Sequence, residues 1–178
     1  WSESELNAIN IYKVETDLSN FKSTEWYNNT NLSYAYDSSS KKVKATYGTA
    51  TAKPHADTTY TNTDKSNGEI PDGKDVGDVK TEGLKTQLIR QVKKEAARIL
   101  QDTDWYITRK ADAGTAVPSS ITTHRAAVRT KAAAQETQIT NASDTPALET
   151  LYTYVNTADE GDPVVMERPI GEFPVLGS

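Results

Sequence analysis

Residues 80–114 read KTEGLKTQLIRQVKKEAARILQDTDWYITRKADAG, and the fold turns on this stretch. Leu84, Leu88, Val92, Ala96 and Ile99 recur every three or four positions, and Ile89 and Leu100 widen the stripe. Lys85, Arg90, Lys93, Lys94 and Arg98 hold the opposite side. That spacing predicts an amphipathic helix, because apolar groups at i, i+3, i+4 and i+7 share one helical face. The helix is expected to run on through DTDWYITRKADAG to Gly114, a natural C-cap. Pro118 then blocks continuation, and Ser119 or Ser120 is placed to cap a second helix. In that helix Ile121, Val128, Ala132 and Ile139 share a face, which makes a helical hairpin. A shorter run follows, with Leu148, Leu151, Tyr152 and Val155 at i, i+3, i+4 and i+7. Asp144 or Thr145 opens it, and Pro146 sits in its first turn.

Upstream the period changes. In residues 1–50, NIYKVET (10–16) puts Ile11 on one face and Tyr12 and Val14 on the other, LSYAYD (32–37) sets Leu32, Tyr34 and Tyr36 against Ser33 and Ala35, and KKVKATYG (41–48) repeats the alternation with Val43, Ala45 and Tyr47. The polar stretch DSSSK joins the last two runs, so they read as a β-hairpin. Residues 49–78, TATAKPHADTTYTNTDKSNGEIPDGKDVGD, show neither period. Asn67-Gly68 and Pro71-Asp72-Gly73 are turn signals. The stretch is expected to be a linker or long exposed loop, which favours two modules. The C-terminal DPVVMERPIGEFPVLGS (162–178) carries prolines and glycines that exclude a helix, yet it is apolar. It is expected to dock as an extended arm on its own helices or on another subunit.

Composition limits both fold and function. The chain has 178 residues, room for one ordinary domain or two small ones. Leu, Ile, Val and Phe make up about 17% of it, below the roughly 20% that warns of disorder when net charge is high. The formal charge is only −5, and three Trp and nine Tyr are present, so a thin core with long solvated stretches is the better reading. A pI near 5.1 argues against general nucleic-acid or anionic-membrane binding. With no cysteine, disulfides, thiolate nucleophiles and cysteine-ligated metals are excluded. No run approaches the roughly 18 apolar residues of a membrane span.

No constellation of residues suggests chemistry. His55 and His124 fall in different modules without metal-ligand spacing. Asp102 and Asp104 lie on a basic helix, where pairing with Arg98 or Arg109 is the expected use rather than acid–base work. The expectation is therefore no catalytic, cofactor-binding or metal-binding residue. Aromatic and arginine groups are more informative. Trp105 and Arg109 are i, i+4, close enough for a cation–π stack, with Tyr106, Arg125 and Arg129 nearby in the pattern. They either seal the helical hairpin or anchor a partner. Trp26 and Tyr27 offer aromatic faces for packing or for a sugar. Ile170, Phe173, Val175 and Leu176 of the arm complete the candidate partner-contact set.

Residues 91–130, QVKKEAARILQDTDWYITRKADAGTAVPSSITTHRAAVRT, resemble a helical module in tail-associated proteins of tailed phages. There a helix ends in an Asp-Trp-x-x-x-Arg element, followed by a proline-containing spacer and a helix with paired arginines. Asp104, Trp105, Arg109, Pro118, Arg125 and Arg129 occupy those places here. The opening WSESELNAINIYKV (1–14) and the closing MERPIGEFPVL (166–176) look similar to the ends of small proteins of this kind. The resemblance implies a tail-region virion component assembled in the host cytoplasm. Its partners would be other tail or fibre proteins and copies of itself, with no catalytic residue. A tail-fibre assembly chaperone is the first alternative and a carbohydrate-binding receptor module the second.

The expected architecture is α+β: a β-rich module over 1–50 (a hairpin or small antiparallel sheet), a polar linker over 51–79, a helical module over 80–160 and an extended arm over 161–178.

Overall fold

The computed structural model describes residues 1–177 and is mixed α+β. The chain divides into two units, Trp1–Lys53 and Pro54–Ser178.

The first unit opens with a short helix α1 (Glu3–Ala8) that strand-like alternation did not predict. Its cause is local. Ser2 Oγ accepts from the Glu5 N–H at 3.3 Å, and Glu5 Oε2 accepts from the Ser2 N–H at 2.6 Å, a reciprocal capping box. The strands β1 (Val14–Asp17), β2 (Tyr27–Asn28), β3 (Leu32–Asp37), β4 (Lys42–Tyr47) and β5 (Thr51–Ala52) follow. The hairpin is β3–β4, antiparallel with Leu32 opposite Tyr47 and Asp37 opposite Lys42. Asp37 organises its turn. One carboxylate oxygen accepts from Ser39 N–H at 3.0 Å and Ser39 Oγ at 2.6 Å, and the other meets Lys44 at 3.1 Å. These bonds hold the carboxyl well below the usual carboxylate range, the Ser39 hydroxyl contributing most. The sheet is not purely antiparallel, because β1 adds to β4 in parallel, Val14 opposite Val43. A second, two-stranded ladder pairs β2 with β5.

The second unit begins with the polar stretch expected to be a linker, and much of it is structured. β6 (Thr58–Thr59) pairs antiparallel with β7 (Val79–Thr81). Between them, helix α2 (Asn62–Ser66) starts on another capping box, Thr61 with Asp64. Asp64 is buried and ion-pairs with Lys80, the lysine contributing most to the depression of its carboxyl pKa, with the Thr61 bonds next. So a segment with neither helical nor strand period is tied down by side-chain hydrogen bonds instead.

Helix α3 (Leu84–Gln101) buries the predicted stripe of Leu84, Leu88, Val92 and Ala96. Its first N–H groups lack partners within the helix, as at every helix start. Residues 54–57 supply them. The Pro54 carbonyl accepts from Leu84 N–H and the His55 carbonyl from Lys85 N–H, both at 3.0 Å. Asp57 accepts from Gly83 N–H at 2.7 Å and from Thr86 Oγ1 at 2.8 Å. Gly83 permits this approach, since a Cβ there would lie 2.3 Å from the carbonyl carbon of Ala56.

The helix expected to continue to Gly114 instead breaks at Asp102–Thr103 and restarts as α4 (Asp104–Ala113). Gly114 does close it, in the left-handed conformation with φ 68°. Pro118, not Ser119 or Ser120, occupies the N-cap of α5 (Ser119–Asn141). Helix α5 runs antiparallel to α3: Lys85 Nζ donates to the Thr140 carbonyl at 2.8 Å, while Arg125 reaches the carbonyl of Leu100. Its predicted face of Ile121, Val128, Ala132 and Ile139 is buried. Helix α6 (Thr145–Tyr152) starts where Asp144 accepts from Ala147 N–H at 2.9 Å, with Pro146 in the first turn and Leu148 fully buried. The helix stops short of Val155, which joins β8 (Val155–Asn156) in a small ladder with β9 (Met166–Glu167).

The C-terminal arm docks on its own helices. Ile170 is buried, its N–H donates to the Leu151 carbonyl at 3.0 Å, and Gln135 Nε2 on α5 donates to the Gly171 carbonyl at 2.8 Å. Glu172 closes the arm by accepting from Arg168 at 2.6 and 2.7 Å and from the Tyr154 hydroxyl at 2.8 Å. The Arg168 guanidinium, with Tyr154 behind it, lowers the Glu172 pKa.

Two predictions follow from these contacts. Gly83→Ala forces residues 54–57 off the start of α3 and should destabilise the chain by about 1–3 kcal/mol in urea unfolding, the usual range for overpacking. Because the pKa of Glu172 is depressed in the folded state, its contribution is present above the ordinary glutamate value and lost as pH falls through the lowered one. Amide protection at Ile170, corrected for intrinsic exchange, should therefore fall on acidification below about pH 4 in the wild type, near the reference glutamate pKa. Glu172→Gln should remove that pH dependence.

Candidate functional site

Helix α4 differs from helices α3, α5 and α6 around it, each of which buries residues. Ten residues long, it has no buried residue. Isolated helices of that length are marginal in water, so α4 depends on what fixes its two ends. Gly114 caps the C-terminal end, its N–H donating to the Lys110 carbonyl at 3.0 Å.

The N-terminal end is held by Arg125. Only 7% exposed, this residue sends Nη1 to the Leu100 carbonyl and to Thr103 Oγ1, both at 2.7 Å, and Nη2 to Asp104 Oδ1 at 2.8 Å. One guanidinium thus joins the last turn of α3, the buried break residue Thr103 and the first residue of α4. A planar fork of donors suits this better than the point charge of a lysine. Thr103 adds its own hydroxyl bond to the Leu100 carbonyl at 3.0 Å, a local bond that competes with helix continuation. Together these groups explain why the helix breaks where the apolar period alone would carry it on.

On the helix so positioned, the Arg109 guanidinium lies 4.6 Å from the Trp105 ring centroid and 5.5 Å from that of Tyr106, and the two rings are 4.0 Å apart. Trp105 is 52% exposed and Ile107 44%, so a large aromatic and a β-branched residue face solvent on a preset helix. Tyr106 and Arg109 are half-buried, and Arg129 is exposed.

The remaining candidates divide by burial. Trp26 and Tyr27 are buried at 4% and 5% exposure. Lys22 lies over the Tyr27 ring at 4.5 Å, and with so little exposure neither residue is presented to a sugar or partner. Arg125 is likewise an internal strut rather than a contact residue, and Ile170 anchors the arm. Phe173 is half-buried, while Val175 and Leu176 are exposed. Together with Ile99, His124, Tyr152 and Arg168, these three line a cleft of about 700 Å³ between the helices and the arm. The arginines of the cleft are engaged, Arg98 by Glu95 and Arg168 by Glu172. Among the described residues, no group of three or more His, Asp or Glu side chains is placed to hold a metal ion, and no helix is long and apolar enough to cross a membrane.

Sequence reasoning passed over Thr103 and Ile107. A threonine next to an Asp-Trp pair is an available signal for a break, since its hydroxyl bonds a preceding carbonyl. The partner carbonyl and the arginine that reinforce the bond come from tertiary structure.

Replacing Arg125 by Ala should cost about 2 kcal/mol, because the Leu100 carbonyl and the Thr103 hydroxyl lose a charged donor in a buried place. Arg125→Lys should restore less than half of that loss. Urea unfolding followed by circular dichroism reads both.

No family model, curated protein or solved structure matches this chain.

Proposed function

We propose that this chain is a non-enzymatic structural component of a bacteriophage virion, connecting or anchoring tail, fibre or baseplate parts through protein–protein contacts. The observation that carries the contact role is α4: a helix that buries no residue in its own chain, yet is fixed at both ends and displays Trp105 and Ile107. Trp and Arg dominate binding energy at interfaces, and a rigid helix loses little conformational freedom when a partner covers it. The exposed Val175 and Leu176 of the arm offer a further apolar surface on the same unit.

The phage assignment rests on the resemblance of residues 91–130 to the tail-associated helical module. Asp104 and Arg109, two of the residues that carry the resemblance, lie on α4, and Arg125, a third, pairs with Asp104 at its start. The proposed location is the tail region of the particle, after assembly in the host cytoplasm, and the proposed partners are neighbouring tail or fibre proteins.

Mass spectrometry of gradient-purified particles beside the soluble infected-cell lysate tests the reading. The chain should co-purify in fixed ratio to tail proteins, and Trp105→Ala should lower its incorporation about tenfold, the effect of losing roughly 1.4 kcal/mol at an interface. Retention in the lysate alone would replace the virion role with that of an assembly chaperone.

A further inference from the structure

We infer that two copies of this chain pair through the free edge of β3, antiparallel and centred on Tyr34. The inference stands on sheet geometry alone and is independent of the phage-tail reading. In the sheet order β1-β4-β3, β3 lies at an edge. The alternation of β4 shows which backbone groups of that edge are free. Val43 N–H donates to the Lys13 carbonyl on the β1 side at 2.9 Å, and Gly48 N–H turns the other way to Thr30 Oγ1 at 2.7 Å. Odd-numbered residues of β4 therefore bond toward β1, and Lys42, Lys44 and Thr46 bond toward β3, where they face Asp37, Ala35 and Ser33. Leu32, Tyr34 and Tyr36 are left with N–H and C=O directed out of the sheet.

The two edges of this sheet are not equivalent. Strand β1 carries Glu15 and Asp17, charges that oppose the addition of another strand. Strand β3 has no charge, proline or bulge from Leu32 to Tyr36, and Tyr34 and Tyr36 are 65% and 49% exposed. That edge lacks those guards: Tyr34 is exposed beside unpaired backbone, and Tyr36 packs against the Tyr12 ring at 4.5 Å between centroids.

A second copy is the occupant that fits. The segment Leu-Ser-Tyr-Ala-Tyr alternates large and small residues, and about Tyr34 its order of large and small, though not its residue identities, is the same in both directions. In an antiparallel pair centred there, Tyr34 faces its own counterpart, Leu32 faces the partner's Tyr36, and Ser33 faces the partner's Ala35. Large residues meet large ones and small meet small. The three outward residues are also those that exchange both backbone hydrogen bonds with the residues opposite them. Charge agrees as well, since Asp37 falls opposite the partner's Asn31 and no like charges meet.

The chain contains no cysteine, so one introduced thiol reports one contact. Tyr34→Cys puts thiols on facing residues about 5.5 Å apart at Cα, within the roughly 4.4–6.8 Å that a disulfide spans. Tyr36→Cys puts them four positions apart, about 13 Å at ~3.3 Å per residue. Under mild oxidation the full-length Tyr34→Cys chain should form covalent dimer about tenfold faster than Tyr36→Cys, and in sedimentation equilibrium Tyr34→Lys should raise the dimer Kd about tenfold or more. Val14→Lys, on the other edge, should leave that Kd unchanged. Circular dichroism establishes that each variant is folded. Equal crosslinking at both positions, a dimer indifferent to Tyr34→Lys, or a wild-type chain that stays monomeric at high micromolar concentration overturns the inference. So does a monomeric chain that instead captures another protein's strand on this edge.

Discussion

The guanidinium of Arg125 is the interaction on which the placement of helix α4 depends. Most of the arginine's exposure is removed by packing, and two of its nitrogens hold the end of α3, Thr103 and the start of α4 together. Burying a charge is costly unless its donors are used; here Nη1 and Nη2 are used to redirect the chain, while the buried Nε has no hydrogen-bond partner among the described residues. Without that redirection, an uninterrupted helix from Leu84 to Ala113 would carry Trp105 along the axis of α3. With it, Trp105 and Arg109 stand on a separate helix. Only the Asp104 side of the cluster is exposed, so solvent and salt weaken that bond more than the two to Leu100 and Thr103.

A second constraint is the scarcity of large apolar residues. The fully buried large side chains of the second unit are few, chiefly Val128, Ile139, Leu148 and Ile170. Polar groups make up part of the difference by satisfying helix ends and fixing loops. Asp57 and the carbonyls of residues 54 and 55 complete the first turn of α3, Asp64 joins α2 to β7 through Lys80, and Gln135 holds the arm by its backbone. Each such bond adds only about 1 kcal/mol net. Leaving a buried carbonyl or N–H without a partner costs more, so these bonds specify the fold more than they strengthen it. A chain built this way has little stability in reserve.

The surfaces left open are of different kinds. Helix α4 presents side chains on a closed hydrogen-bond ladder, so a partner there gains packing and little backbone bonding. The edge of β3 presents backbone groups that want partners, with tyrosines beside them. The first can accept many shapes of neighbour, whereas the second accepts only another strand. That difference separates a contact to other proteins, proposed for α4, from a self-contact, inferred for β3.

The sequence by itself determined the elements whose pattern is local and periodic. The stripe of Leu84, Leu88, Val92 and Ala96, the face from Ile121 to Ile139, the β3–β4 hairpin and the cap at Gly114 were all legible, because each follows from spacing or from a residue's own backbone preference, and the start of α6 was narrowed to Asp144 or Thr145. The capping boxes at Ser2–Glu5 and Thr61–Asp64 were equally local, but α1 and α2 are too short for a hydrophobic period to draw attention to them. Only tertiary structure decided the rest. Nothing in the residues near Thr103 names Arg125 as its partner, nothing near Gly83 names residues 54–57, and the parallel addition of β1 joins segments nearly thirty residues apart in register. Tertiary structure also buried Trp26, Tyr27, Arg125 and Ile170 while leaving Trp105, Val175 and Leu176 at the surface. Aromatic, arginine and aliphatic side chains serve equally well as core or as contact, and burial is set by what the rest of the chain places over them.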